Sequence, residues 1–124
     1  MQSIAFIMVM LRYNAERAIY NGRRIFGYIG EKNKHYEINT VTASIVRGVF
    51  RDFVAGVPLQ KICDDLNSDG IRTNNKKFTK ALLRSMLKNR AYIGEYRWKD
   101  IVVADGIPAL VDEDTFNAAQ AMFN

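Results

Sequence analysis

Apolar residues recur at the spacing of one helix face in three successive stretches in the middle of the chain. These stretches are residues 45–54, 59–66 and 82–87, and residues that favour helix ends separate them. Spacings of three and four residues place side chains on one side of an α-helix. Gly56 is placed to end the first helix, and Thr79 is placed to cap the start of the third. The pattern therefore predicts three helices that bury their apolar sides in a common core.

The flanking segments predict one further helix at each end of the chain and two small hairpins. Residues 1–21 have apolar side chains at helical spacing and predict a long helix that ends near Gly22. IFGYI can pair with HYEIN, and the predicted strand NRAYIGEYRW can pair with IVVA. The last helix begins after Asp112, its predicted N-cap. This order predicts an α+β fold, mainly helical, with a helix–long loop–helix unit and small β-hairpins after a long N-terminal helix.

Positive charge is concentrated in residues 71–99. The whole chain has a formal charge of +5, but this segment has nine basic residues and one acid, Glu95, which gives +8. Such clustering favours a polyanionic partner such as nucleic acid. Lys80, Arg84 and Lys88 lie on one side of a predicted helix, where like charges four residues apart repel each other. DNA phosphates would neutralise these charges, so the arrangement favours DNA binding.

Two segments outside that helix are also candidates for DNA contact. Residues 67–79, which we call the wing, carry Lys76 and Lys77 just before a helix N-terminus, where phosphate is favoured. The wing is too long for the short turn of a standard helix-turn-helix, so the unit is interpreted as a variant with a long basic loop. Arg23 and Arg24 follow a glycine in what we interpret as a flexible linker, and arginines in linkers can enter a narrow minor groove.

Residues that carry catalytic chemistry are sparse and scattered. None of the four serines lies in a recognisable catalytic motif, and no glycine-rich phosphate loop is present. Cys63 and His35 are the single cysteine and the single histidine, so neither a disulfide nor a metal site is predicted. We therefore predict no catalytic residue, metal, cofactor or small-molecule substrate. A single cysteine suits the reducing cytoplasm, and the apolar start MQSIAFIMVML is too short to span a membrane.

The apolar N-terminal helix leaves other functions open. It is either part of a longer element or a face that buries against a second copy of the chain, and the homodimer contacts would be Ile4, Ile7, Met8 and Leu11. The same face could dock another partner, which would make the chain a protein-interaction module. A stand-alone DNA-binding regulator is a further alternative. RNA binding would need exposed aromatic side chains, and core packing better explains Tyr92, Tyr96 and Trp98.

An ordered set of short motifs carries a family resemblance. Val-Arg-x-x-Phe is followed by Gly-x-Pro-Leu, Leu-Asn-x-x-Gly-Ile-x-Thr, Leu-x-Asn, Tyr-x-Gly, Pro-x-Leu-Val-Asp and Phe-x-x-x-Gln. The set covers roughly residues 22–124 and resembles the recombinase domain of the large serine recombinases, which include phage integrases and bacterial transposon recombinases. The matching residues are Val46, Arg47, Phe50, Gly56, Leu59, Leu66, Asn67, Gly70, Ile71, Thr73, Leu87, Asn89, Tyr92, Gly94, Pro108, Val111, Asp112, Phe116 and Gln120.

The resemblance implies that residues 25–124 form the DNA-binding recombinase domain and residues 1–24 the end of a connecting helix and its linker. In the family, a serine of a separate catalytic domain, in a Tyr-x-Arg-x-Ser pattern, bonds covalently to a DNA 5′ phosphate. This chain has neither that pattern nor the cysteines of the family's zinc ribbon. It is thus predicted to be a fragment of a site-specific DNA recombinase from a bacterial or phage mobile element.

Such a fragment would bind double-stranded DNA at recombination attachment sites, in DNA integration or excision, but would not cleave it. Phe78 stands in the wing where the family often has tryptophan, and the sequence leaves open whether it contacts DNA or anchors the core. The DNA contacts that we predict are Arg23, Arg24, Arg72, Lys76, Lys77, Thr79, Lys80, Arg84, Lys88 and Arg97.

Overall fold

Helices and two short hairpins form the structure. The computed structural model describes residues 4–123, which form five α-helices, one 3-10 helix and two antiparallel two-stranded sheets. The predicted class, mainly helical α+β, is confirmed. In chain order the elements are α1 (Ile4–Glu16), β1 (Tyr28–Ile29), β2 (Glu37–Ile38), α2 (Thr40–Val54), α3 (Leu59–Ser68), α4 (Lys80–Leu87), the 3-10 helix (Arg90–Ile93), β3 (Tyr96–Trp98), β4 (Ile101–Val103) and α5 (Glu113–Ala121).

The main core lies among the helices α2 to α5. Helix α2 packs against α5 and α3, and α3 packs against α4. Phe50 is fully buried, with its ring centroid 5.9 Å from that of Tyr92 and 6.1 Å from that of Phe116. The three predicted middle helices are confirmed, and Cys63 is buried as expected. Leu82 differs from the prediction: it begins the third apolar stretch, yet its side chain is 39% exposed.

Helix α1 ends earlier than the apolar spacing predicts. It stops at Glu16, Ala18 adopts a left-handed φ of +56°, and Ile19 pairs with His35 in an isolated bridge. The guanidinium of Arg17 folds back and donates to the Tyr13 carbonyl, at 3.0 Å. Ala18 is buried, but in a second, smaller cluster beside the hairpins. Apolar spacing alone does not show whether Ala18 belongs to the helix or lies beyond its end. An apolar residue that leaves the helix and fills another cluster keeps the same spacing in the sequence.

Only the end of the predicted strand at residues 89–98 is a strand. Residues Arg90–Ile93 form a 3-10 helix, which begins where the Asn89 side chain accepts a hydrogen bond from the Ala91 N–H. Gly94 then adopts a φ of +103°, a conformation that favours glycine. This turn allows Tyr92 to enter the main core and Tyr96 to enter the second cluster. The remaining strand, β3, pairs with β4 as expected.

Most of α1 lies outside both clusters. Its large apolar side chains are 38–81% exposed from Ile4 to Leu11, and Ala15 is its buried residue. An ion pair between Arg12 Nη1 and Asp100 Oδ1, at 3.2 Å, connects α1 to the turn of the β3–β4 hairpin. Each helix within residues 4–123 is too short or too polar to span a membrane.

Candidate nucleic-acid interface

The wing contains a tight turn that displays its lysines. Asn74 and Asn75 have left-handed φ values of +50° and +63°, which asparagine tolerates better than most residues. Thr73 and Lys76 close the turn with two backbone hydrogen bonds, of 3.0 Å and 2.9 Å. Lys76 and Lys77 are exposed beside it. The long loop is thus a small structured projection before α4.

Phe78 anchors the wing in the core. Its side chain is 3% exposed, and its ring meets that of Phe26 edge to face at a centroid distance of 5.5 Å. The Asn67 side chain accepts a hydrogen bond from the Phe78 N–H at 2.9 Å and donates to the Phe78 carbonyl at 3.0 Å. These bonds join the two ends of the wing. Phe78 is therefore a core anchor, which settles the alternative that the sequence left open.

Helix α4 turns an apolar side to the core and a basic side to solvent. Leu83, Met86 and Leu87 are buried. The Thr79 hydroxyl caps the helix by accepting a hydrogen bond from the Leu82 N–H at 3.1 Å. The predicted basic stripe is exposed, and it consists of Lys80, Arg84 and Lys88. Lys88 is the residue after the helix, and its Nζ lies 4.7 Å from the centroid of the Phe123 ring.

Four basic side chains of the wing and of α4 have no acid partner, whereas six basic side chains elsewhere among residues 4–123 have one. Among residues 4–123, acids pair with Arg12, Lys34, Arg51, Lys61, Arg90 and Arg97. In the same range, the side chains of Lys76, Lys77, Lys80 and Arg84 form no ion pair and no hydrogen bond. Arg72 donates to the carbonyls of Asn67 and Ile71 in the same loop. Four basic residues of the wing and the start of α4 therefore lie close together without a partner, on a surface suited to a polyanion. The side chains of Arg23, Arg24 and Lys32 likewise have no ion pair or hydrogen bond among residues 4–123.

The segment that carries Arg23 and Arg24 is held in place at several carbonyls. We call residues 19–26 the linker segment. Tyrosine hydroxyls donate to three of its carbonyl oxygens, from Tyr96 to Ile19 at 2.6 Å, from Tyr36 to Arg23 at 2.7 Å and from Tyr92 to Phe26 at 2.7 Å. Burial raises the pKa of Tyr36 and Tyr92 well above the usual value, so these hydroxyls remain protonated donors.

This anchoring corrects the interpretation of the segment as a flexible linker. The two arginine side chains are exposed, but they project from a backbone whose position is fixed by the core. Asn21 adds a further restraint, because its Oδ1 accepts from the Arg23 N–H at 3.0 Å and lies 2.9 Å from the Tyr36 hydroxyl oxygen. Asn21 was not predicted from the sequence, which gave it no signal beyond its position before a glycine.

Two clefts bring candidate residues from distant parts of the chain together. A cleft of about 360 Å³ has Arg24 and Arg72 in its lining. A larger one, of about 520 Å³, lies between the linker segment, the end of α4 and β3, and we call it the arginine cleft. Its charged lining residues are Arg23, Lys88, Arg90, Glu95 and Arg97. Three of the ten predicted contacts, Arg23, Lys88 and Arg97, thus meet at one place.

Glu95, the single acid of the basic segment, lies in the arginine cleft between two arginines. Its Oε1 accepts from Arg97 Nη2 at 2.9 Å, and its Oε2 accepts from Arg90 Nε. Burial acts to raise the pKa of Glu95, but the hydrogen bonds from Arg90 and Arg97 outweigh it and hold the pKa below its usual value. Arg90 was counted in the basic segment but was not among the predicted contacts.

The family model for Recombinase matches residues 40–124, and the chain therefore belongs to the Recombinase family. No curated protein matches the chain. Two solved structures share its fold. One, described as a crystal structure of an LSR–DNA complex, has a TM-score of 0.75 and 19% identity over 95% of this chain. The other, from work on sequence requirements of the Listeria innocua prophage attP site, has a TM-score of 0.72 and 20% identity over 96% of this chain.

The chain spans only part of either of these solved structures, 37% of the first and 51% of the second. The similarity extends beyond the residues of the family match and includes the part of the chain that precedes α2. At such low identity it supports the fold that the sequence resemblance implied.

Proposed function

We propose that this chain is a double-stranded DNA-binding part of a serine recombinase, and that it holds attachment-site DNA during integration or excision by a mobile element. The observation that carries the proposal is the set of basic side chains on the wing and α4 that have no acid partner. Phosphates would supply the missing negative charge. The description of one similar structure as an LSR–DNA complex, and of the other by a prophage attP site, supports this choice of polyanion.

Helix α4 has the dimensions for a major groove. An α-helix with its side chains is about 10–12 Å in diameter, which fits the major groove of B-DNA, about 12 Å wide, and the exposed basic side of α4 could face the DNA there. Lys80 and Arg84 would face base edges or the adjoining backbone, while Lys76 and Lys77 would bind phosphates ahead of the helix N-terminus. Thr79, whose hydroxyl caps the helix, would contribute by orienting it. Arg23 and Arg24 would approach the minor groove from a fixed backbone, with Arg72 beside Arg24.

Removing part of the α4 stripe is expected to reduce the salt dependence of DNA binding. In fluorescence anisotropy titrations with a labelled duplex, Lys80→Ala/Arg84→Ala should lower the slope of log affinity against log salt by about 1.8, since each phosphate contact contributes about 0.9. The matched control is Arg51→Ala/Lys61→Ala, which removes two exposed charges that have acid partners. The control should keep the slope of the unchanged protein.

Two outcomes would contradict this function. If the unchanged protein ignored duplex DNA at low salt, the basic surface would be a solvated face. If the control lost as much slope as the α4 variant, net charge and not this surface would drive binding. Selection from a pool of random duplexes tests the sequence-specific part of the proposal, because failure to enrich any site would limit the function to non-specific binding.

We also propose that α1 contributes a contact between two copies of the chain. Its side chains Ile4, Ile7, Met8 and Leu11 are exposed by 81%, 44%, 38% and 41%, and they make a contiguous apolar surface over almost two turns. Sedimentation should show concentration-dependent dimers that Ile7→Ser/Leu11→Ser abolishes. Val41→Ser/Val102→Ser changes two exposed valines elsewhere and should leave association unchanged. A monomer at every concentration would rule out this contact and leave docking of another partner.

A further inference from the structure

The arginine cleft has an excess of positive charge in a concave, polar setting. Four basic side chains, Arg23, Lys88, Arg90 and Arg97, and one carboxylate, Glu95, line it, so its charged groups sum to +3. The linker segment, the end of α4 and β3 each supply at least one of them. A cleft with a net charge of one sign concentrates ions of the opposite sign, so its chemistry favours an anion.

Glu95 fixes the geometry of two of these cations. Its side chain is 13% exposed, whereas those of Arg90 and Arg97 are 58% exposed, so a nearly buried carboxylate holds two guanidinium groups at the surface. A guanidinium has five N–H donors, and Glu95 occupies one of each arginine's donors. The unused donors of both arginines remain available to a second acceptor, in a planar arrangement that matches phosphate oxygens.

The other walls of the arginine cleft favour a phosphate over a stacked base. The two tyrosines in its lining, Tyr36 and Tyr96, are 3% and 1% exposed, and their hydroxyls bind carbonyls of the linker segment. They therefore present no aromatic face on which a base could stack. The Asn89 side chain is already used to begin the 3-10 helix.

We infer that the arginine cleft binds one phosphodiester group of the DNA backbone, with Arg90 and Arg97 as its ligands and Glu95 as the residue that positions them. Arg23 and Lys88 lie on the same cleft and add to its positive potential. This inference rests on the proposed DNA-binding function and adds a contact outside the wing and the α4 helix. It gives Glu95, the one acid among residues 71–99, a role in orienting bound DNA.

Variants of Arg90 test the phosphate contact by the same salt titration. Arg90→Gln should weaken duplex binding about tenfold, since a hydrogen bond to a charged group is lost, and should lower the log–log salt slope by about 0.9. Arg90→Lys keeps the charge but loses the planar guanidinium, which can bind a carboxylate along one edge and a phosphate along another, so it should retain the slope and still bind more weakly. Arg51→Gln is the matched control, an exposed arginine beside Asp52 that lies outside the cleft.

The variant Glu95→Gln distinguishes two roles of Glu95, the positioning of Arg90 and Arg97 and the simple repulsion of DNA by its negative charge. Removing an acid from a basic surface would strengthen DNA binding if charge alone mattered. If Glu95 positions the two arginines, the variant should instead bind about fivefold more weakly, because both side chains must be ordered on binding, and its salt slope should not fall. Circular dichroism melts would establish that each variant is folded at the temperature of the titrations.

Each outcome bears on the inference. If the unchanged protein binds DNA steeply with salt while Arg90→Gln behaves like Arg51→Gln, the cleft contact is wrong and the proposed function stands. If Glu95→Gln binds more tightly than the unchanged protein, Glu95 is a repulsive charge and the positioning role is wrong. If the unchanged protein does not bind duplex DNA at all, the proposed function and the inference fail together.

Discussion

Replacing four basic residues of the wing and α4 by alanine is expected to weaken duplex binding by about 10³- to 10⁴-fold near 0.1 M salt, because each phosphate contact contributes a factor of about 10^0.9 there. The variant combines Lys76→Ala, Lys77→Ala, Lys80→Ala and Arg84→Ala. None of these side chains has an acid or side-chain hydrogen-bond partner among residues 4–123, so their removal should leave the stability of the fold almost unchanged. Anisotropy titrations and thermal melts measure the two effects separately.

The control for this variant makes the same change in net charge elsewhere. It combines Lys32→Ala, Lys34→Ala, Arg51→Ala and Lys61→Ala, and either variant lowers the formal charge from +5 by four, to +1. Three of the control residues already have acid partners, so little uncompensated charge is lost. The control should keep binding within about tenfold of the unchanged protein. Equal losses in the two variants would show that the position of the charges on the wing and α4 is unimportant.

Phe50→Ala is expected to destabilise the protein by about 3–5 kcal/mol, a large part of the total stability of a domain of this size. Its ring is fully buried and contacts the rings of Tyr92 and Phe116, so truncation leaves a cavity where α2, α5 and the 3-10 helix meet. Urea unfolding followed by circular dichroism gives the change in the free energy of unfolding.

Leu82→Ala is expected to destabilise the protein much less than Phe50→Ala. The apolar spacing predicts Leu82 as a core residue like Leu83, but its 39% exposure predicts a loss of about 1 kcal/mol or less. A loss for Leu82→Ala as large as that for Phe50→Ala would mean that the side chain is buried, which would contradict the orientation of α4 on which the DNA proposal depends.

Local signals explain why the middle of the chain could be predicted. Helices α2, α3 and α4 follow from apolar spacing, and Thr79 and Asp112 cap helices as expected, because caps and periodicity depend on residues only a few positions apart. The early end of α1 and the 3-10 helix at Arg90–Ile93 could not be predicted in this way. In both cases an apolar residue, Ala18 or Tyr92, occupies a cluster built from distant segments.

The sequence by itself determined the mainly helical class, the concentration of positive charge and the motif order of the Recombinase family. The tertiary structure decided which charges have partners. Arg90 and Arg97 share Glu95, whereas Lys80 and Arg84 have no acid partner among the described residues. It also placed Phe78 in the core and fixed Arg23 near Arg97. Composition gives the number of charges, but only packing brings residues far apart in the chain within the few ångströms at which hydrogen bonds and ion pairs form.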